Sequence, residues 1–132
     1  MIAYVDANIL LKRVLIEQDS DQIREHLSQL VESGAHLLTS ALSAAEIDRA
    51  LMRIDTQAPA DRMKERVHAL SGIITISIDA SVLELAGAIP ARNLGTLDAL
   101  HVASALITRA DTLITRDQQM QRACADLGLT TS

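Results

Sequence analysis

Two rhythms of apolar residues alternate along the chain: short unbroken runs, and stripes spaced three or four residues apart. Ile2-Ala3-Tyr4-Val5 is an unbroken run stopped by Asp6, which predicts a buried strand. Leu10, Leu11, Val14 and Leu15 then predict a helix from Ala7 to about Glu17. Ile23, Leu27, Leu30 and Val31 predict a second helix, opening near Ser20 or Asp21 and ended by Gly34. His36 to Thr39 reads as the next strand. A third helix carries Ile47, Leu51 and Ile54; a fourth carries Met63, Val67 and Leu70, with Pro59 near its start and Gly72 at its end. The β-branched stretch Ile73 to Ile78 predicts a strand. Val82, Leu85 and Ile89 mark a fifth helix closing near Pro90, and residues 91–95 read as a loop. Leu97, Leu100, Ser104 and Ile107 mark a sixth helix, Thr112 to Thr115 a strand, and Met120, Cys124 and Leu127 a seventh helix. Gly128 then releases a last short strand, Leu129 to Thr131.

Strands that alternate with helices predict a layered α/β fold with a mainly parallel sheet of about five strands. The 132 residues suit a single domain spanning 1–132. They are too few for an eight-stranded α/β barrel, which takes about 250 residues. No repeat, low-complexity stretch or Pro/Gly/Ser-rich linker interrupts the pattern. In open parallel sheets ligands bind beyond the carboxyl ends of the strands, so the residues that follow each strand carry the functional question.

Composition narrows the answer. With 12 Lys and Arg against 17 Asp and Glu, the net charge is −5. There is no Trp or Phe, and Tyr4 and Cys124 are the single Tyr and Cys. One cysteine builds no internal disulfide, which favours a reducing, cytoplasmic setting. No apolar run approaches the roughly 18 residues of a membrane span, and the N-terminus has no signal-peptide pattern, so no membrane partner is expected. Acidity and the lack of aromatics argue against a protein that coats nucleic acid. They leave open one that cuts it.

Four carboxylates fall at the informative places. Asp6 ends the first strand, and Asp117 follows Leu113-Ile114-Thr115-Arg116. Glu46 lies early in the third helix, and Asp98 in the first turn of the sixth. At the carboxyl edge of a parallel sheet the four would repel one another unless a cation sat among them. An all-oxygen donor set suits Mg²⁺ or Mn²⁺. Each acid also has a local explanation. Ser43-Ala44-Ala45-Glu46 has the pattern of a capping box, Thr96 is placed to cap the sixth helix ahead of Asp98, and Asp6 and Asp117 are placed as N-caps. His101, one turn after Asp98, reads more readily as a packing or hydrogen-bonding residue than as a ligand. Cys124, on the stripe with Met120 and Leu127, reads as a small buried hydrophobe. The separated glycines do not form a dinucleotide-binding loop.

Four blocks together resemble the PIN-domain family, and most of all its VapC-type ribonuclease toxins. They are Tyr4-Val5-Asp6-Ala7-Asn8-Ile9-Leu10-Leu11; Ser40 with Ser43-Ala44-Ala45-Glu46-Ile47; Gly95-Thr96-Leu97-Asp98-Ala99-Leu100-His101-Val102-Ala103-Ser104-Ala105; and Leu113-Ile114-Thr115-Arg116-Asp117. The resemblance implies a PIN-like three-layer α/β/α sandwich whose four acids bind Mg²⁺ or Mn²⁺. It implies metal-dependent endoribonuclease activity on RNA phosphodiesters, a cognate antitoxin as partner, and a homodimer. The alternative is a PIN-like interaction module that keeps the acids as caps and has lost catalysis. Asp6, Glu46, Asp98 and Asp117 match the family's acidic positions, which makes them the expected catalytic and metal-binding residues. Asn8 and Thr115 match neighbouring polar positions that orient the acids. Some relatives carry a further acid beside the last one, where this chain has Arg116. Arg92 and Arg116 are the expected RNA phosphate contacts, because a guanidinium engages phosphate bidentately.

Overall fold

The computed structural model describes residues 1–54 and 59–132. Five parallel strands form one sheet: β1 (Ile2–Val5), β2 (His36–Ser40), β3 (Ile74–Ile76), β4 (Thr112–Ile114) and β5 (Thr130–Thr131), in the spatial order β3-β2-β1-β4-β5. The helices are α1 (Ala7–Leu11), α2 (Ser20–Glu32), α3 (Ala41–Ile54), α4 (Pro59–Ala69), α5 (Ala80–Ala88), α6 (Thr96–Ile107) and α7 (Gln118–Asp126). Among these elements no helix is long and apolar enough to cross a membrane.

Alternation along β1 separates the two faces of the sheet. Ala3 and Val5, with Leu37 and Ile114, pack against Ile9 and Leu10 of α1, Ile23 and Leu27 of α2, and Ile47 and Leu51 of α3. Tyr4, with Leu38 and Leu113, faces the other way, onto Val102 and Ala105 of α6 and Met120 and Cys124 of α7. Helices therefore cover both faces, as the α/β/α expectation requires. A smaller core joins α5 to α6 through Val82, Ala86, Ala99, Leu100 and Ala103. Cys124 is fully buried as a packing residue on the Tyr4 face of the sheet, and burial pushes its thiol up to about 11.

Three element boundaries differ from the sequence pattern. The first helix stops at Leu11, and residues 12–14 form a turn, although the apolar stripe runs on to Leu15. Lys12 caps that helix and sends its ammonium to Glu17 and Asp19, at 2.8 and 2.5 Å, folding the chain back. Only Ile74–Ile76 of the β-branched run joins the sheet, since this edge strand pairs with β2 alone, over three residues. The third helix begins at Ala41, ahead of its apolar stripe. The glycine stops fall as the pattern requires. Gly34 and Gly128 both take positive φ, 90° and 76°, and the residue after each returns its N–H to the helix, Ala35 to Leu30 O and Leu129 to Cys124 O.

The order of the strands fixes where a ligand belongs. From central β1 the chain moves outward through β2 and β3, then returns to the other side of β1 for β4 and β5. The connections reverse between β1 and β4, which opens a crevice beyond the carboxyl ends of those two strands. Asp6 and Thr115-Arg116-Asp117 are the residues that leave them.

Candidate metal and active site

Asp6 is 3% exposed and sits where β1 gives way to α1. One carboxylate oxygen, Oδ1, accepts the Ile9 N–H at 2.8 Å and caps the helix; the other, Oδ2, accepts the Thr115 hydroxyl at 2.5 Å. Thr115 is wholly buried, and its Oγ1 also accepts the Asp117 N–H at 3.1 Å. Asp117 in turn caps α7, taking the Met120 N–H at 2.8 Å. One hydroxyl thus couples the acids that end β1 and β4, and both acids do serve as N-caps. Capping occupies one oxygen of each carboxylate, so it does not exhaust either group.

The capping box at Glu46 does not form. Because α3 starts at Ala41, Ser43 lies inside the helix, fully buried, with its hydroxyl 2.6 Å from Thr39 Oγ1. Ser40, the last residue of β2, makes the cap contact instead by accepting the Leu42 N–H at 3.0 Å. Glu46 reaches α6, where its Oε1 lies 2.5 Å from His101 Nε2. Thr96 is not the cap of α6 either. Gly95 holds that position without a side-chain bond, and Thr96 is already helical. Asp98, half-buried in the first turn, sits where the positive end of the helix favours a carboxylate.

Electrostatics joins the four acids. Burial raises the pKa of Asp6, opposed by the hydrogen bonds from Thr115 and Ile9 and by His101, while Asp98 pushes it further up. Asp98 is raised first by burial and then by the negative charges of Asp117 and Glu46, with His101 opposing. Asp98 therefore feels each of the other three carboxylates. This is the mutual repulsion expected of neighbouring carboxylates. Their side chains are nonetheless not drawn into a chelating set. Among the described residues, no three of His, Cys, Asp and Glu are clustered closely enough to hold a metal ion. The donors fit a hard cation by chemistry: oxygen throughout, with one carboxylate deeply buried.

Asp6, Asn8, Lys12, Arg116 and Asp117 line the crevice itself, with Ile9, Leu11, Leu15 and Glu17. Asn8 is exposed at its mouth. Arg116 is exposed, with a guanidinium nitrogen 3.4 Å from Thr115 O. Arg92, exposed in the loop before α6, is not among the lining residues, and neither are Glu46 and Asp98. Sequence reasoning missed Lys12, although acids five and seven residues further on, past an interrupted apolar stripe, offered a signal. A larger groove, lined by Arg13, Arg24, Leu27, Glu32 and His68 among others, shares no residue with the crevice.

The comparisons with known proteins agree with this architecture. The family model for the PIN domain matches residues 3–126. Ribonuclease VapC46 of Mycobacterium tuberculosis (strain ATCC 25618 / H37Rv) is 34% identical over 128 residues, covering 96% of this chain and 92% of that protein. Ribonuclease VapC47 of Mycobacterium tuberculosis (strain CDC 1551 / Oshkosh) is 25% identical, covering 98% and 94%. Among solved structures, VapBC2 from Rickettsia felis, bound to a DNA fragment from its promoter, superposes with a TM-score of 0.79 at 18% identity. The match covers 100% of this chain and 98% of that one. Mycobacterium tuberculosis VapC20, described as a sarcin–ricin loop cleaving toxin, superposes at 0.72 with 15% identity, covering 92% and 94%. At those identities the two structures speak for the fold alone.

Proposed function

The chain belongs to the PIN-domain family, and on that premise we propose that it is a divalent-cation-dependent endoribonuclease, the toxin of a toxin–antitoxin pair. What supports the reading is the crevice at the strand-order reversal, lined by Asp6 and Asp117, together with the electrostatic coupling of Asp98 to Asp6, Glu46 and Asp117. The ribonuclease names of the relatives supply the reaction class. The VapC-type resemblance of the sequence, with the VapC names of the relatives, supplies the kind of partner, a cognate antitoxin. A homodimer and a cytoplasmic setting belong to the same proposal.

Asp6, Glu46, Asp98 and Asp117 would hold Mg²⁺ or Mn²⁺. Bound there, such a cation offsets the carboxylate repulsion, acidifies water and stabilises charge developing on phosphate. The chain's own residues do the rest. Thr115 fixes the free rotation of Asp6 and sets the start of α7, and so the position of Asp117. Asn8 presents an amide at the mouth of the crevice. Arg116 places positive charge on its wall, where the RNA backbone is bound against a net-negative protein, while Lys12 is paired with Glu17 and Asp19. Arg92, on the loop before Asp98, is proposed as an outer phosphate contact.

Purified, antitoxin-free protein tests the reading. Cleavage of RNA should require Mg²⁺ or Mn²⁺ and disappear in excess chelator, and Asp6→Ala and Asp98→Ala should each abolish it. Cleavage that survives both substitutions, or survives the chelator, overturns the proposal.

A further inference from the structure

His101 is 1% exposed on α6, yet both ring nitrogens are used. Nδ1 lies 2.7 Å from the Tyr4 hydroxyl and Nε2 lies 2.5 Å from Glu46 Oε1. The chain Tyr4–His101–Glu46 therefore runs from the centre of β1, through α6, to α3, and ends on one of the four acids whose charges act on one another. Tyr4 itself is fully buried, packed edge-on to the imidazole with ring centroids 5.8 Å apart.

The hydrogen inventory gives the chain a direction. An ionised carboxylate only accepts, so Nε2 carries the proton that faces Glu46. On a neutral ring Nδ1 is then an acceptor and the Tyr4 hydroxyl its donor. Thr39 and Ser104, which also stand against the Tyr4 oxygen, spend their own hydroxyl protons on Val5 O and Leu100 O. Burial also raises the Tyr4 pKa, which keeps its proton in place. Packing alone does not call for this arrangement. A buried polar chain is often no more stabilising than well-packed apolar side chains of the same volume. What it adds is orientation at its exposed end, where the Glu46 side chain is 27% exposed and that of His101 is buried.

We propose that His101 is a positioning residue for Glu46, held in its Nε2–H tautomer by the Tyr4 hydroxyl, so that Tyr4 acts on Glu46 without touching it. The inference rests on the reading of Glu46 as a cation-binding and catalytic acid. Histidines that bind metal directly are commonly fixed by an outer partner. Here the order is inverted, with the carboxylate as the more exposed member and the histidine buried behind it.

The experiment uses the full chain and Mn²⁺ alone as probe. In the wild type, nitrogen NMR of the imidazole should show protonated Nε2 and an acceptor Nδ1, and Mn²⁺ titration by electron paramagnetic resonance should give the reference affinity. Tyr4→Phe, which keeps the ring in the core, should remain folded, lose the Nδ1 hydrogen-bond signature and bind Mn²⁺ about tenfold more weakly. His101→Gln should weaken Mn²⁺ binding at least as much. In a Glu46→Gln background, Tyr4→Phe should have no further effect on affinity, because the path from Tyr4 to the cation runs through Glu46. Wild-type Mn²⁺ affinity in folded Tyr4→Phe, or an undiminished Tyr4→Phe effect in the Glu46→Gln background, overturns the positioning role. Failure of the wild type itself to bind Mn²⁺ overturns the cation-dependent reading on which it rests.

Discussion

The Thr115 hydroxyl donates to Asp6 Oδ2 at 2.5 Å while accepting the Asp117 N–H at 3.1 Å, so one buried side chain holds both ends of the crevice. Thr115→Val keeps the shape and deletes both bonds. It leaves a carboxylate that is 3% exposed short of a donor. We expect a loss of about 1–3 kcal/mol in urea unfolding. RNA cleavage should fall roughly 10–100-fold. Thr115→Ser, which restores the hydroxyl, should recover most of both.

Asp98 is held charged against burial and against Asp117 and Glu46, and its pKa is raised accordingly. A carboxylate raised on folding contributes stability below its unfolded pKa of about 4 and loses it as pH rises through the folded value. At neutral pH without a cation, ionised Asp98 therefore works against the fold. Asp98→Asn should raise the thermal midpoint in chelator and abolish the further rise that Mn²⁺ gives the wild type. Scanning fluorimetry of the two proteins, each with chelator and with Mn²⁺, checks both halves. A midpoint lowered in chelator by Asp98→Asn contradicts the repulsion argument.

Much of this was legible in the sequence because short parallel strands are buried on both faces and read as unbroken apolar runs. Ile2–Val5 ending on Asp6 and Thr112–Ile114 ahead of Asp117 position the crevice by pattern alone. The errors came where tertiary contacts overrode local signals. Ser43-x-x-Glu46 has the spacing of a capping box, but the Ser43 hydroxyl is spent on Thr39 and Glu46 on His101. The apolar stripe through Leu15 outlasts α1 because Lys12 turns the chain toward Glu17 and Asp19. Spacing places His101 one turn from Asp98, yet no local rule shows that its partners are Tyr4, 97 residues away, and Glu46, 55 away.

Cation binding should depend on pH in a defined direction. Asp6 and Asp98 both have raised pKa values, chiefly through burial, so protons compete with the cation at these two positions. Apparent Mn²⁺ affinity should rise as pH increases above the ordinary carboxylate range near 4 and level off once both are ionised. The metal-free protein should show the opposite trend in these two groups' contribution, gaining stability as pH falls toward their ordinary range near 4. Calorimetric titration across that range checks the first statement, and thermal unfolding in chelator the second. The effect in chelator should shrink in Asp98→Asn.

Asp117 carries two roles that one pair of substitutions separates. As the N-cap of α7 it accepts the Met120 N–H, and as a crevice acid it adds charge beside Asp98. Serine caps helices about as well as aspartate but carries no charge. Asp117→Ser should therefore unfold within a few tenths of a kcal/mol of the wild type, whereas Asp117→Ala should lose about 1 kcal/mol. If the carboxylate is catalytic, both variants should lose RNA cleavage to the same extent, about a hundredfold or more. If it is only a cap, Asp117→Ser should cleave like the wild type. Because stability and cleavage are measured on the same two proteins, a loss of activity in well-folded Asp117→Ser cannot be assigned to the helix.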